Sequence, residues 1–82
     1  MKIEILPKAE KSLKTIPDHI RKKICAQIDQ LAENPLPKNS KKLTGQPGYR
    51  IRIGDWRVLY IFNKQKKLII IARIAHRREI YR

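Results

Sequence analysis

The sequence predicts an α+β protein in which two N-terminal helices pack on one face of a small antiparallel sheet. Residues 7–33 repeat apolar side chains at helical spacing, whereas residues 49–75 alternate or run apolar as strands do. A segment rich in proline and glycine separates these halves. The expected order is β-α-α-β-β-β, and 82 residues suffice for a single domain, residues 1–82.

The first strand and the first helix follow directly from local pattern. "KIEIL", residues 2–6, alternates between apolar and polar side chains and therefore predicts a short strand. Pro7 suits the first position of a helix, because its missing N–H has no acceptor there in any case. The apolar residues of this helix recur at helical spacing: Ala9, Leu13 and Ile16.

The segment "TIPDHI" predicts a break followed by a second helix. Thr15 and Asp18 are spaced like a capping box around Pro17. The second helix ends before Asn34-Pro35, because the residue before a proline avoids the helical conformation. It carries one apolar stripe: Ile20, Ile24, Ile28 and Leu31.

Three strands complete the fold. "YRIRI" (49–53) and "WRVLYIF" (56–62) flank the two-residue turn Gly54-Asp55, which predicts a hairpin. After the turn "NKQKK", "LIIIARIA" (68–75) is nearly continuous apolar, as expected of a strand buried on both faces.

The short turn fixes which side chains share a face. Ile53 lies opposite Trp56, and Arg52 lies opposite Arg57, because side chains alternate along each strand. One face is then an apolar layer for the helices to cover: Tyr49, Ile51, Ile53, Trp56, Val58, Tyr60 and Phe62.

The opposite face is basic. If Phe62 pairs with Leu68 across the second turn, Arg57 pairs with Arg73, and the basic side chains of the last strand join the same face. Like charges placed opposite each other cost stability, so this arrangement is not an obvious choice for folding alone. We call these five residues the arginine face: Arg50, Arg52, Arg57, Arg73 and Arg77.

The net charge favours a polyanionic partner. The formal charge is +13; residues 1–33 carry seven basic and five acidic side chains, and residues 34–82 carry thirteen and two. A solvated sheet face is the ordinary alternative. However, every lysine or arginine from Arg50 to Arg82 outside "NKQKK" is arginine, the residue suited to bidentate phosphate contact and to base stacking.

Several classes of function lack their sequence signals. There is no Cys/His metal spacing, no glycine-rich phosphate loop and no nucleophile-base-acid triad, so no metal or cofactor is expected. The single cysteine, Cys25, lies in an apolar helical pattern and is expected to be a small core residue. Neither a membrane-length apolar run nor a signal-peptide core is present, so we expect a cytoplasmic protein without a membrane partner.

The arginines restrict the chemistry that this face could perform. Arginine does not lose its proton near neutral pH and cannot serve as a base. It can hold a phosphodiester and stabilise negative charge that develops during reaction. RNA supplies its own nucleophile, the 2′-hydroxyl beside the scissile phosphate, so RNA cleavage would suit such a site.

At this point the motifs carry a family resemblance. "YRIRIGDWRVLYIF" followed by "IARIAHRREIYR" resembles the RelE/ParE superfamily of type II toxins, and more closely its RelE-like mRNA interferases. The likeness extends to "LPKAEKSLKTIP" and "LAENPLPKNSKKLTG". It implies a small sheet with two N-terminal helices on one side, cleavage of mRNA in the ribosomal decoding site, and inhibition by a cognate antitoxin.

The resemblance also assigns roles to individual residues. Arg57 matches the arginine of the family's central strand, Arg77 the arginine after the last strand, and Tyr81 the tyrosine that closes this segment. With Arg52 they are the candidate catalytic residues. Some relatives have lysines where Arg50 and Arg52 stand, and this leaves the identity of the proton acceptor open.

The remaining candidates are RNA-binding residues: Arg50, Arg73, His76, Arg78, Lys41 and Lys42. His76 could carry a proton or contact phosphate, and Tyr81 could instead pack its ring on the sheet. Lys41 and Lys42 are expected in an exposed loop, as a peripheral patch. The leading function is a ribosome-dependent endoribonuclease; the alternatives are a ParE-like inhibitor of DNA gyrase and a non-catalytic RNA-binding module.

Overall fold

A five-stranded sheet with two helices on one face forms the body of the protein in a computed structural model, which describes residues 1–80. The elements are β1 (Lys2–Ile5), α1 (Pro7–Thr15), α2 (Asp18–Leu31), β2 (Ser40–Lys42), β3 (Tyr49–Ile53), β4 (Trp56–Asn63), β5 (Leu68–His76) and α3 (Arg77–Ile80). No helix within residues 1–80 is long and apolar enough to cross a membrane.

The strand order is β1-β5-β4-β3-β2. β1 joins β5 in parallel, and the other neighbours are antiparallel, so the sheet is mixed and not wholly antiparallel as predicted. The α+β class and every predicted element are confirmed. Two elements were not predicted: β2, which lies inside the expected loop, and α3, which follows the last strand.

The break between the two long helices is where the sequence predicts it, but the predicted capping box does not form. Pro7 occupies the first turn of α1, as expected. The Thr15 hydroxyl donates to the Ser12 carbonyl at 2.8 Å instead of capping α2. Pro17 itself precedes α2, and its carbonyl accepts hydrogen bonds from the amides of Ile20 and Arg21. The proline therefore starts the helix through its backbone.

The core lies between the helices and the apolar face of the sheet. Ile51, Val58 and Tyr60 of the predicted apolar layer are buried, and the rest of that layer packs partly buried against them. Cys25 also packs against the core, as a half-buried free thiol. The two helices, the turn between them and the inner strand β5 supply the other buried residues: Ala9, Leu13, Ile16, Ile24, Ile28, Leu31, Ile69, Ile71 and Ile74.

The register of the first hairpin is as predicted, and that of the second is not. Arg52 pairs with Arg57 across the Gly54-Asp55 turn. On the other side of β4, Arg57 pairs with Ala75, not with Arg73.

A different pairing at the second turn and a bulge within β4 and β5 together account for this difference. Phe62 pairs with Ile69 instead of Leu68, and the register shifts again between Leu59 and Tyr60, where Leu59 faces Arg73. The two shifts together displace Arg73 by an even number of residues, so it stays on the arginine face.

Two contacts with Tyr60 hold the segment between α2 and β3 against the sheet. Its hydroxyl donates to the Pro35 carbonyl at 2.6 Å, and burial raises the pKa of this phenol above its ordinary value. Gly48, at φ +113°, passes so close that a Cβ would lie 2.8 Å from the Tyr60 carbonyl oxygen. These contacts place β2 beside β3.

Candidate nucleic-acid interface

The arginine face lies on the side of the sheet away from α1 and α2. Arg52 faces Arg57 across β3 and β4, while Arg50 and Arg73 both face Leu59, one from each side. Four arginines from three adjacent strands therefore share one surface. Arg77 is not on a strand; it is the first residue of α3 and is exposed.

A basic groove runs along this face beside the edge strand β2. It has a volume of about 420 Å³ and is lined by Lys41, Lys42, Leu43, Thr44, Gln46, Arg50, Arg57 and Leu59. A smaller groove of about 200 Å³ adjoins it. Lys41 and Arg50 line both grooves, and Asn39 and Arg52 line the smaller one. The two form one continuous surface of positive charge.

The two lysines lie closer to this surface than the sequence predicts. Lys41 and Lys42 belong to β2, and Lys41 pairs directly with Arg50. The expectation that they lie in a loop is wrong, because β2 pairs with β3. They line the same groove as the candidate catalytic Arg57.

Arg57 is the most constrained residue of the face. Only 6% of its surface is exposed, and its Nη1 donates to the carbonyl oxygens of Gly54 and Trp56, both at 3.1 Å. Within the described part of the chain, its Nε is a buried side-chain nitrogen without a hydrogen-bond partner. The expectation that Arg57 stands open on the sheet is therefore wrong.

The short helix α3 packs next to the strand that carries Arg57. It contacts both β4 and β5, and Ala75, which faces Arg57 across the ladder, is buried as well. Arg73 donates through Nη2 to the carbonyl oxygen of Glu79 at 3.4 Å. α3 thus packs over the part of the arginine face that holds Arg57.

The start of α3 is fixed by two further hydrogen bonds. The amide of Arg77 donates to the carbonyl oxygen of Asp55 at 2.8 Å. This hydrogen bond lies just beyond the last β4–β5 pair, Trp56 and His76. The amide of Arg78 donates to Nδ1 of His76 at 3.3 Å. Arg77 and Arg78 present exposed side chains beyond the edge of the ladder.

His76 lies on the opposite side of the sheet from the arginines. It pairs with Trp56, and the two rings meet edge to face with centroids 5.4 Å apart. Both rings line a groove on the helix side, together with Pro17 and Ile20. The expectation that His76 completes the RNA-binding face is wrong, and alternation along β5 could have shown this, because Ala75 lies on the arginine face.

The described site residues permit a defined chemistry. The groove places charged donors, one of them held rigidly by two carbonyl groups, where a phosphodiester backbone could lie. Among residues 1–80, no group of three His, Cys, Asp or Glu side chains could hold a metal ion. Tyr81, the fourth candidate catalytic residue, lies outside the described residues.

The chain is similar to known toxins over nearly its whole length. Residues 3–81 match the family described as ParE toxin of type II toxin-antitoxin system, parDE. Two proteins of Methanocaldococcus jannaschii, named as the toxins RelE1 and RelE3, are 37% and 36% identical to it. These alignments cover 98% and 99% of this chain and 93% and 96% of the relatives.

Solved structures agree with these sequence relationships. A chain of the RelB-RelE antitoxin-toxin complex from Methanococcus jannaschii superimposes with a TM-score of 0.78 at 31% identity, covering 95% of this chain and 94% of that one. A chain of the archaeal RelE-RelB complex from Pyrococcus horikoshii OT3 gives 0.81 at 27% identity, covering 95% and 96%. The protein therefore belongs to the RelE/ParE superfamily of toxins from type II toxin-antitoxin systems.

Proposed function

We propose that this toxin is a ribosome-dependent endoribonuclease that cleaves mRNA. The observation that carries the proposal is the basic groove, in which a buried and hydrogen-bonded Arg57 meets Arg50 and two lysines of β2. A rigid, partly desolvated guanidinium is more effective at stabilising developing charge than an exposed one, because little reorganisation is needed during reaction.

The proposed reaction is an internal transfer at phosphorus. The RNA 2′-oxygen attacks the adjacent phosphorus, the bond to the 5′-oxygen breaks, and a cyclic phosphate and a 5′-hydroxyl result. Arg57, Arg52 and Arg77 would stabilise the negative charge that builds on the phosphate oxygens. The proton of the 2′-hydroxyl passes to a solvent water, because the arginines cannot accept it, and a second proton reaches the 5′-oxygen. Tyr81 is the proposed donor of the second, as the family resemblance implies.

The other basic residues would hold the RNA without reacting. Arg50, Lys41 and Lys42 line the groove and would contact successive phosphates. Arg73, which donates to α3, and Arg78, which belongs to it, would extend this contact along the RNA strand. Such contacts fix the register of the backbone and carry little sequence information themselves.

The proposed protein partner is a cognate antitoxin. Both archaeal RelE structures described above are complexes with a RelB antitoxin. A net charge of +13 favours an acidic or amphipathic segment that covers the arginine face. A co-purified complex in which the exposed Arg52 and Arg77 keep the solvent exposure that they have in the free toxin would contradict direct masking.

A translating extract tests the activity and separates the alternatives. We expect mRNA breaks at fixed positions within codons, mapped by primer extension, and their loss in Arg52→Ala. Arg21→Ala is the matched control, because Arg21 lies on α2 and pairs with Asp18, away from the groove. Binding to RNA without breaks would instead indicate a non-catalytic RNA-binding module.

Inhibition of DNA gyrase is the second candidate, because the matching family is described as the ParE toxin. A protein-binding inhibitor has no evident need for a phosphate-binding groove. Under this alternative, DNA supercoiling by gyrase fails while the mRNA stays intact, and the Arg52→Ala variant still inhibits gyrase.

A further inference from the structure

His76 stands at the position that precedes the first residue of α3. The first amides of any helix lack intrahelical acceptors, and a side chain at the N-cap commonly accepts from the second helical residue. Arg78 is that second residue, and its amide lies 3.3 Å from Nδ1 of His76. The imidazole thus does here what a serine or aspartate side chain does at most helix starts.

The contact requires one protonation state of the ring. Nδ1 can accept a hydrogen bond only without a proton, so the ring that caps α3 is neutral and carries its proton on Nε2. The edge-to-face contact with Trp56 holds the ring in this orientation. The charged groups around it are Lys23 of α2, Asp55 of the β3–β4 turn, and Arg77 and Arg78 of α3.

We infer that His76 is a positioning residue: its neutral imidazole caps α3 and thereby holds Arg77 at the end of the arginine face. A proton on Nδ1 turns the acceptor into a donor that faces the Arg78 amide, and the cap is lost. The effect on cleavage rests on the proposed endoribonuclease function; the cap itself does not.

Two variants distinguish the hydrogen bond that His76 accepts from the packing of its ring. His76→Asn places an amide oxygen near the position of Nδ1 and does not titrate, so it should keep the cap at every pH. His76→Phe keeps a ring against Trp56 but has no acceptor. Thermal melts of both variants identify any general loss of folding.

Hydrogen exchange of the Arg78 amide, followed by NMR on the purified toxin, tests the cap directly. A helix cap of ordinary strength should slow exchange by about two- to thirtyfold. We expect this protection in the wild type at neutral pH and in His76→Asn, and its loss in His76→Phe. In mild acid the wild type should exchange faster than His76→Asn at the same pH, a comparison that removes the intrinsic effect of pH on exchange.

Single-turnover cleavage on programmed ribosomes tests the consequence. Relative to His76→Asn, the wild type should slow in mild acid by up to about thirtyfold, and His76→Phe should be slow at every pH. Equal Arg78 protection in all three proteins overturns the cap, and wild-type cleavage by a folded His76→Phe overturns the positioning role. If the wild type cleaves no RNA, the proposed function fails, and the exchange measurements still decide whether His76 caps α3.

Discussion

Replacing Arg57 tests whether one residue serves both folding and chemistry. Arg57→Ala removes two methylenes of a buried stem and both hydrogen bonds from Nη1 to the carbonyls of Gly54 and Trp56. Arg57→Met removes the same hydrogen bonds but keeps an unbranched apolar side chain in the stem's place. The pair therefore distinguishes lost packing from lost charge.

The expected stability changes follow from these contacts. Two buried methylenes contribute about 1.6 kcal/mol. The lost hydrogen bonds add to this. The loss is offset because the variant lacks the desolvation cost of a buried guanidinium and is relieved of repulsion with the facing Arg52. We expect Arg57→Ala to lower the free energy of unfolding by about 1–3 kcal/mol, a fall in Tm of roughly 4–20 °C for a domain of this size. Arg57→Met should lose about 1 kcal/mol or less.

The expected effect on cleavage is different. Both variants lose the same charged donor, so both should cleave roughly a hundredfold or more slowly in single-turnover assays on programmed ribosomes. Arg21→Met on α2 is the control, because it removes an arginine outside the groove and should change neither Tm nor rate appreciably.

Two results would refute the reasoning. If a folded Arg57→Met cleaves at the wild-type rate, Arg57 has only a structural role. If Arg57→Ala melts at the wild-type temperature, the burial and hydrogen bonds of this side chain contribute nothing to stability.

Three further predictions concern the groove and the segment that supports it. The affinity for single-stranded RNA, measured by filter binding, should fall steeply as the salt concentration rises. Lys41→Ala should reduce the slope of log affinity against log salt concentration by about 0.7, and an unchanged slope would place Lys41 outside the interface. Gly48→Ala should lose about 1–3 kcal/mol more stability than Gly45→Ala in denaturant titrations, because both positions have positive φ but only Gly48 meets a backbone oxygen; equal losses would contradict this close approach. Because burial raises the pKa of Tyr60 above 10.0, the contribution of the neutral phenol to stability is complete below pH 10.0 and is lost as pH rises through the folded-state pKa. Tyr60→Phe should lack this alkaline loss, and identical profiles of stability against pH in both proteins would contradict the shift.

Local sequence determined the helices and the first hairpin. The apolar stripe of Ile24, Ile28 and Leu31 recurs at helical spacing. Such a stripe predicts a helix with one buried face, whichever part of the protein packs against it. The two-residue turn at Gly54-Asp55 permits one pairing, so the opposition of Arg52 and Arg57 follows from the sequence by counting. The basic face of β3 and β4 was predictable for this reason.

The second hairpin was not predictable in the same way. The residues of β5 are nearly all apolar, so alternation does not specify which of them face the helices. The longer turn does not fix the pairing either, and the bulge beside Leu59 and Tyr60 shifts it again. The strand β2 has only three residues, too few for a periodic signal, and pairing with β3 is what makes it a strand.

The burial of Arg57 and the formation of α3 were decided by tertiary structure. α3 has four residues, and so short a helix is unstable by itself, because its nucleation fixes several dihedral angles for very few hydrogen bonds. It is held by one contact that is distant in the chain, the Asp55 carbonyl, and by two from the end of β5, the Arg73 guanidinium and the His76 ring. The sequence by itself determined that arginines share one face of a sheet. Which arginine is buried and rigid was decided by the folded structure, in which the Arg57 side chain turns back onto the carbonyls of Gly54 and Trp56.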